Sequence, residues 1–235
     1  MIHLVSLDSA YQPEELVALQ DQFRDNGVFL VHLWEDVWET RSIQVLGRIQ
    51  SLLGLNKQIH ARKTKVTAIS QAQADAFLHA NHIQASARAK YRYALVADNT
   101  IVAVACFSNL RLMRKMGPAY KSAEVIRFAS LIGYTVTGGF SKLMKYFIRH
   151  YSPDDIMSYA DRDWSNGKVY EQGGFKLVSF TAPSVIYLDR EKMVRYFPHR
   201  IPGQINGISE SAADGENLKF VKIFNTGNLK YIHYL

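Results

Sequence analysis

Apolar positions recur at helical spacing near the start of the chain. QPEELVALQDQFRDNG (12–27) places them on one helix face, and its final glycine is a stop signal. ETRSIQVLGRIQSLLG (39–54) repeats this spacing, and the apolar run VFLVHLW (28–34) between them is typical of a short buried strand or turn. We therefore predict a largely helical N-terminal extension over residues 1–60.

Downstream of this extension, predicted strands alternate with predicted helices. Ser70 caps a helix that runs to about His82, because a glutamine three residues later completes a capping box. KYRYALVADNTIVAVACFS (90–108) indicates a β-hairpin that turns at its Asp-Asn pair, and residues 219–235 indicate a second, terminal hairpin. This order predicts the α/β class, with an α+β mixed sheet, for a domain over residues 61–235.

The composition is that of a globular protein, with 48% hydrophobic and 12% aromatic residues among 235. The single cysteine, Cys106, excludes a disulfide scaffold and a four-cysteine zinc site within one chain, and its apolar surroundings favour a core residue over a nucleophile. No apolar run approaches the length of a membrane helix and no signal peptide is evident, so we expect a cytoplasmic protein.

The formal net charge is +7, which favours polyanionic partners such as nucleic acid. Taken alone, the net charge is weak evidence for nucleic-acid binding, because many basic proteins bind no nucleic acid. Several of the charges gather in NKQIHARKTKV (56–66), which contains Arg62, Lys63 and Lys65. This segment is either a solvated loop or a segment that contacts phosphate.

The stretch TVTGGFSKLMKYFIRHY (135–151) joins a β-branched run to a basic helix through Gly138 and Gly139. The amino end of a helix exposes N–H groups and a positive dipole, glycines allow close approach, and Lys142 adds charge, so a phosphate site is one interpretation. The alternative is a tight turn in which Ser141 is the N-cap. The spacing fits neither the nucleotide P-loop nor the dinucleotide-binding pattern.

Further along, SNGKVYEQGGFK contains an asparagine, a short predicted helix with Tyr170, then glycine, phenylalanine and a strand. With the preceding strand, glycine turn and helix, this order resembles the Gcn5-related N-acetyltransferase (GNAT) superfamily over about residues 61–188. The resemblance implies a GNAT-like acyltransferase fold, in which the glycine turn cradles the pyrophosphate of acetyl-CoA or a related acyl donor between two splayed strands. It also implies that Tyr170 acts near the thioester as general acid. The residues it assigns to the cofactor are Gly138, Gly139, Ser141 and Lys142.

Five longer stretches are similar to a phage-associated branch of this superfamily: FLHANHIQAS, EVIRFAS, VTGGFSKLMKYFI, SYADRDWSNGKVYEQGGF and FNTGNLKY. The branch includes GNAT domains attached to phage mobile endonucleases and, more distantly, the Mom DNA-modification family. Mom-type proteins convert adenine in DNA to a carbamoylmethylated form that shields phage DNA from restriction, and iron dependence has been proposed for them. The resemblance implies a bacterial host cytoplasm, and it assigns catalysis to Asp161, Tyr170, Arg127 and Ser141.

Residue types suggest how these positions could act. Asp161 ends a predicted strand before a polar loop, where a carboxylate could orient or deprotonate an amino group, or could simply cap the loop. Arg127 lies in an apolar strand, where a charge is costly unless Glu124, Asp161 or a bound phosphate pairs with it. Tyr170 could donate a proton or a hydrogen bond to a leaving group, or could be a core tyrosine.

Aromatic and basic residues interleave in KYRYALVADN and SYADRDWSNG, which suggests DNA contacts in which Trp164 or Tyr93 stacks on an extruded base. The alternative is that the tyrosines alternate because one strand face is buried. The predicted nucleic-acid contacts are Arg62, Lys63, Lys65, Arg88, Lys90, Arg92, Arg162 and Trp164. No metal site is predicted, although His79 and His82, three apart on one helix, are weak candidates that Asp161 could complete.

We therefore expect a GNAT-like transferase that uses a small-molecule donor and modifies adenine in double-stranded DNA as Mom does. A conventional acetyl-CoA-dependent N-acetyltransferase for a small amine or protein is one alternative. A non-catalytic DNA-binding remnant of a mobile endonuclease is another, because HLWEDVW with IQSLLGLNKQIHARK resembles the end of the very-short-patch-repair-like nuclease segment that precedes such domains. HIQA departs from the HIQG of the endonuclease-linked domains, which leaves the backbone geometry at Ala85 open.

Overall fold

The computed structural model describes residues 1–198 and 220–235, which belong to two compact units. Unit 1 consists of Met1–Thr40, Ala160–Asn166 and the described part of Phe180–Leu229; unit 2 consists of Arg41–Tyr159, Gly167–Ser179 and Lys230–Leu235.

The secondary structure alternates throughout both units. The helices are α1 (Pro13–Asp25), α2 (Glu35–Leu52), α3 (Gln71–Asn81), α4 (Gly139–Tyr151) and α5 (Lys168–Gln172). The strands are β1 (Ile2–Val5), β2 (Val31–Trp34), β3 (Lys57–His60), β4 (Lys65–Ala68), β5 (Tyr91–Ala97), β6 (Thr100–Phe107), β7 (Arg111–Leu112), β8 (Lys121–Ser130), β9 (Tyr134–Thr137), β10 (Asp155–Asp161), β11 (Lys176–Phe180), β12 (Val185–Asp189), β13 (Val194–Tyr196), β14 (Phe220–Phe224) and β15 (Asn228–Tyr234). A 3-10 turn over Ala61–Lys63 precedes β4.

The central sheet is mixed, with the strand order β11-β15-β10-β8-β6-β5-β4 and with β7 paired to β8. The strands β4, β5, β6 and β8 are antiparallel neighbours, whereas β10 runs parallel to β8. Parallel neighbours need a crossover connection, and the chain makes it through β9 and α4. The glycine turn that begins α4 thus lies on the connection between the two parallel strands.

Helices cover both faces of this sheet. Ala94 and Val104 are register partners on β5 and β6, and both belong to the buried cluster that includes Leu78 of α3. Side chains alternate between faces along a strand, and on the other face Phe107 of β6 stacks on Phe147 of α4 with ring centroids 4.2 Å apart. The predicted fold class, α/β with a mixed sheet, is confirmed.

Two local predictions are confirmed by their backbone geometry. Asp98 and Asn99 have φ of 46° and 60° at the β5–β6 turn, as a two-residue hairpin with both central residues left-handed requires. Ser70 Oγ accepts the Gln73 N–H at 3.1 Å, and Gln73 Oε1 accepts the Ser70 N–H at 3.0 Å, which completes the capping box.

The predicted terminal hairpin is wrong. The strand β14 pairs with β12 in a three-stranded sheet, whereas β15 lies between β11 and β10 in the central sheet. At the junction, Gly227 has φ +85°, and a Cβ there would lie 2.3 Å from the Thr181 carbonyl oxygen. The glycine that looked like a hairpin turn is required by this close backbone approach.

Unit 1 combines the N-terminal segment with segments from later in the chain. The strands β1 and β2 pair in parallel, and Val5, Leu16 and Trp34 share one buried cluster with Leu188 and Ile223 of the later strands. Four short N-terminal elements cannot bury their apolar faces alone. Their core is completed by β12 and β14. The two helices predicted in the N-terminal extension are present as α1 and α2, and three short strands, β1, β2 and β3, accompany them within residues 1–60.

Candidate functional site

The glycine turn begins α4 with a left-handed residue. Gly138 is the N-cap, with φ +74° and ψ 7°, a conformation that glycine adopts without strain. A Cβ on Gly139 would lie 2.9 Å from Val136 Cγ1, so this position also needs glycine for packing. Ser141 is the third residue of the helix and is exposed, so the alternative in which it is the N-cap is excluded.

The amino end of α4 presents backbone donors. The first bond within the helix joins Lys142 N–H to the Gly138 carbonyl at 3.0 Å, so the N–H groups of Gly139, Phe140 and Ser141 precede the helical ladder. Gly138 is exposed and carries no side chain, and α4 has 13 residues whose dipoles add at this end. These are the properties that an anion site at a helix terminus requires.

Lys142 does not extend from this turn as a free cation. Its ammonium group donates to the carbonyl oxygens of Ala61, at 2.8 Å, and Thr64. The lysine therefore holds the 3-10 turn Ala61–Lys63, whose Arg62 and Lys63 are exposed. Of the four residues assigned to the cofactor, the two glycines and Ser141 are at the helix end, and Lys142 positions the neighbouring segment.

Tyr170 on α5 is joined to this turn by aromatic packing. Its ring lies edge-on to Phe140 of α4, with centroids 5.7 Å apart, and stacks on Tyr231 at 5.3 Å. The hydroxyl accepts a hydrogen bond from Ser158 Oγ at 3.0 Å, and Ser158 Oγ also lies 2.9 Å from the Val125 carbonyl oxygen. Burial raises the pKa of Tyr170, an effect that Ser158 and nearby positive charges partly offset, so the phenol stays protonated at neutral pH.

Arg127 and Arg48 supply the positive charges near Tyr170. Arg127 lies on β8 opposite Cys106, is half-buried, and donates from Nη1 to the Ile126 carbonyl at 2.8 Å. Arg48 lies on α2, and burial lowers the pKa of its guanidinium. Arg48 is not among the site residues predicted from the sequence; its sequence signal is a charge within the apolar run VLGRIQSLL.

His82, at the carboxyl end of α3, belongs to the same charged neighbourhood. Burial, followed by the positive charges of Arg127, Arg48 and Arg41, lowers its pKa to about 3. Its Nδ1 accepts the Gln84 N–H at 3.0 Å, so the ring is a neutral acceptor. Ala85, which replaces the glycine of the HIQG pattern, has φ +55°, in the left-handed region in which glycine is favoured.

No metal set accompanies these histidines within residues 1–198 and 220–235, where no group of three His, Cys, Asp or Glu side chains is arranged to hold an ion. His79 instead contributes its carbonyl, which accepts from Arg41 Nη1 at 2.9 Å. Cys106 is fully buried, and burial raises its thiol pKa to about 11, as expected of a core residue. The suggestion of iron finds no support in these residues.

Asp161 and its neighbours form a polar loop in unit 1. Asp161 Oδ1 accepts the Asp163 N–H at 3.0 Å, so the carboxylate does cap its own turn. Arg162 pairs with Asp21 at 2.9 Å, and its side chain is only 11% exposed. Trp164 is 8% exposed. Arg162 and Trp164 are therefore engaged inside unit 1 and do not present the open surfaces that DNA contact would use.

Asp163 is a second charged residue that is not among those predicted from the sequence. It is 4% exposed, and its Oδ1 accepts from Thr226 Oγ1 at 2.6 Å and Thr226 N at 3.3 Å. Burial, followed by the charge of Asp161, raises the pKa of Asp163 to about 7. The alternation of two aspartates in ADRD is the only sequence signal for this pair.

Of the remaining residues predicted to contact DNA, one is held by internal hydrogen bonds and the others are exposed. Arg92 is held by the Ile69 carbonyl and Gln71 Oε1, both at 3.3 Å, and by the Ala89 carbonyl. The exposed members of the predicted set are Arg62, Lys63, Lys65, Arg88 and Lys90. Within the part of the chain that the structure describes, no helix is both long and apolar enough to cross a membrane.

Comparison with known proteins gives structural neighbours only. No family model and no curated protein matches the chain. Its structure is similar to an IAA acetyltransferase from Bacillus cereus, with 12% sequence identity and a TM-score of 0.41 over 73% of this chain and 99% of that one. It is also similar to the ribosomal-protein-S18-alanine N-acetyltransferase of Escherichia coli, with 9% identity and a TM-score of 0.43 over 73% of this chain and 93% of that one. A third similar structure is Arabidopsis thaliana Naa50, with 10% identity and a TM-score of 0.45 over 74% of this chain and 99% of that one.

A GNAT family acetyltransferase from Elizabethkingia anophelis with acetyl-CoA bound is a further neighbour (12% identity, TM-score 0.40, 74% of this chain and 99% of that one). The four neighbours named here are acetyltransferases. At these identities and scores, the likeness carries no argument about activity, donor or acceptor.

Proposed function

We propose that this chain is a GNAT-like transferase that takes an acyl-CoA-type donor at the amino end of α4 and modifies the N6 amino group of adenine in DNA. The observation that carries the proposal is the packing of Phe140 against Tyr170. It brings a helix end with backbone donors, where Gly138 has no side chain, next to the half-buried Tyr170, whose phenol stays protonated at neutral pH.

The residues at the turn fit a pyrophosphate. Gly138 leaves the approach to the helix end open, and the N–H groups of Gly139, Phe140 and Ser141 can donate to phosphate oxygens. The exposed Ser141 hydroxyl adds one more donor, and the exposed Arg62 and Lys63 add charge on the neighbouring segment. A bound acyl-CoA would supply an activated carbonyl on a thioester; this chain's residues would bind and orient it.

The roles of the polar residues follow from their protonation. In any transfer to an amine, the nitrogen loses a proton and the leaving group gains one. Tyr170 is protonated and can donate to the leaving group, with Ser158 fixing its hydroxyl. Arg127 and Arg48 favour negative charge developing near that hydroxyl. The role of Asp161 as proton acceptor stays a prediction.

The acceptor is the finer part of the proposal. The net charge of +7 and the exposed basic residues support a polyanionic acceptor such as DNA. The resemblance to the Mom family implies that adenine is the target and that the product carries a carbamoylmethyl group, which is bonded to N6 through its CH2 carbon. Attack of N6 on a thioester carbonyl instead forms an N6-acyl amide and releases the thiol, so an acyl-CoA donor by itself gives an acylated adenine. A small amine or a protein amine would be the acceptor if the chain is a conventional acetyltransferase.

Nucleoside mass spectrometry of DNA from cells that express the protein tests this directly. We expect a modified deoxyadenosine with the wild type, and its loss in Arg127→Ala and in Asp161→Ala variants that remain folded and retain DNA affinity. The mass of the added group distinguishes carbamoylmethyl from acetyl. DNA that contains only ordinary nucleosides, with the wild type expressed and folded, would rule out DNA modification.

A further inference from the structure

The outward face of α4 is strongly cationic. Its exposed side chains after Ser141 are Lys145, Arg149 and His150, and the helix contains no aspartate or glutamate. Lys145 and Arg149 are four residues apart, so they lie on the same side of the helix about 6 Å apart along its axis. Together with Tyr146 and Tyr151, these three residues are called the α4 face below.

Aromatic rings adjoin these charges. Tyr146 stacks on His150, with centroids 4.0 Å apart and planes at 29°, and Tyr151 lies 4.1 Å from Tyr91 of β5. The rings of Tyr146, Tyr151 and Tyr91 are half-buried, so each keeps some accessible surface. Cations interleaved with partly exposed rings are the composition that nucleic-acid surfaces use for phosphates and bases.

A purely architectural explanation covers only part of this face. Arg149 and His150 are in the last turn of α4, where positive charge interacts favourably with the helix dipole. His150 Nδ1 also bonds to the Tyr146 carbonyl at 2.7 Å. Lys145 is in the middle of the helix and gains nothing from either effect. The buried residues of α4, such as Leu143 and Phe147, are on its other side, so the cationic face is not needed for packing.

We infer that the α4 face binds the phosphate backbone of DNA. The helix begins at the glycine turn of the proposed donor site, and its cationic stripe runs from there toward its carboxyl end. The face would hold a duplex along α4 and supply the DNA affinity that the buried Arg162 and Trp164 do not supply. This inference rests on the proposed function, because it takes DNA as the partner.

The test is the salt dependence of DNA binding. A fluorescent duplex is titrated with the full-length wild type and with Lys145→Gln/Arg149→Gln at several salt concentrations. The matched control is Arg114→Gln/Lys115→Gln, which removes the same two residue types from an exposed loop after β7. Circular dichroism and thermal melting establish that each variant is folded.

Each phosphate contact adds about 0.9 to the slope of log K against log salt for duplex DNA. We expect the α4-face variant to lose about two units of slope and the control to match the wild type. An unchanged slope, or an equal loss in both variants, would overturn the inference, and so would a wild type that binds no DNA. Binding to anionic lipid vesicles that depends on Lys145 and Arg149, with DNA binding unaffected, would assign the face to membranes instead.

The outcome is separable from the proposed function. DNA binding that requires the α4 face, with only ordinary nucleosides in mass spectrometry, would leave this inference standing and rule out DNA modification. Modified adenine, together with an unchanged slope in the α4-face variant, would support DNA modification and overturn the inference that the α4 face binds DNA.

Discussion

The glycine turn of unit 2 and the polar loop at 161–166 in unit 1 differ in how many hydrogen-bonding groups they leave accessible to a ligand. The glycine turn of unit 2 presents backbone: Gly138 and Ser141 are exposed, and the first N–H groups of α4 precede the helical ladder. The loop at 161–166 in unit 1 presents little, because Arg162 pairs with Asp21 and Asp163 is bonded twice to Thr226. The first region can accept a ligand as it stands, whereas the second is mainly internal structure.

The difference teaches that side-chain chemistry alone does not identify a site. The loop contains more charged groups than the turn, yet most of its donors and acceptors satisfy each other, as buried polar groups must. The turn contains almost no functional side chain, yet its backbone meets the requirements of an anion site. We therefore ask whether the turn of unit 2 carries the donor site, and whether the contacts between Asp163 and Thr226 stabilise the loop of unit 1.

The largest expected effect is on catalysis in unit 2. Tyr170→Phe removes the hydroxyl next to Ser158 and keeps the ring stacked on Tyr231. If Tyr170 is the proton donor, turnover falls by about a hundredfold, the lower end of general acid catalysis. The measurement is the rate of incorporation of the modified base, or of acetyl transfer if that is the activity found.

Tyr231→Phe is the matched control for that experiment. Tyr231 is in the same stack, and its hydroxyl donates to Glu171 at 3.1 Å. We expect near wild-type turnover from this variant. Equal losses in the two variants would mean that the stack supports the structure and that Tyr170 has no proton-transfer role.

The next effect is on the stability of the loop in unit 1. Thr226 is fully buried, and Thr226→Val keeps its shape but removes the hydroxyl that donates to Asp163. A buried acceptor that loses its donor costs about 2 kcal/mol of unfolding free energy. Denaturant unfolding measures this, with the exposed Thr67→Val as control. A loss no larger than that of the control would show that the loop is not held in this way.

A smaller effect is expected in the pH dependence of stability. The pKa of Asp163 is raised to about 7 from 3.8, so between about pH 4 and pH 7 the folded state holds a proton that the unfolded state has released. The free energy of unfolding therefore falls as the pH rises through this window. Asp163→Asn keeps an oxygen acceptor for Thr226 and cannot ionise.

Relative to the wild type, Asp163→Asn should gain about 1 kcal/mol or more in unfolding free energy as the pH rises from 5 to 8. Asp98→Asn, at an exposed hairpin turn that asparagine also tolerates, should follow the wild type at every pH. Parallel pH profiles for the wild type and Asp163→Asn would contradict the raised pKa.

Local signals were sufficient for much of the fold. The Asp-Asn turn and the Ser70 capping box are decided by residues within a few positions of each other, so the sequence predicted both correctly. The terminal hairpin failed because β14 and β15 each find their partners far away in the chain. Whether neighbouring strands pair with each other depends on what else is available, and a local pattern does not contain that information.

The same limit applies to the site. The glycine turn and Tyr170 were found by their order along the chain, and the packing of Phe140 on Tyr170 agrees with that order. Arg48 and Asp163 were overlooked because their importance comes from burial, which depends on distant segments. The sequence predicts that Trp164 and Arg162 contact DNA, because nothing in the neighbouring residues shows that these two side chains are buried.

The most direct test of the account is whether the glycine turn binds the donor. Calorimetric titration with coenzyme A compares the wild type with Gly138→Ala and Gly54→Ala. Both glycines have a left-handed φ, +74° and +72°, and neither has an atom closer than ordinary contact to an added Cβ, so the two substitutions impose the same strain. We predict binding by the wild type, a loss of about tenfold in affinity, or 1.4 kcal/mol, for Gly138→Ala, and wild-type affinity for Gly54→Ala. No binding by the wild type, or equal affinity in all three proteins, would contradict the assignment of the turn as the donor site.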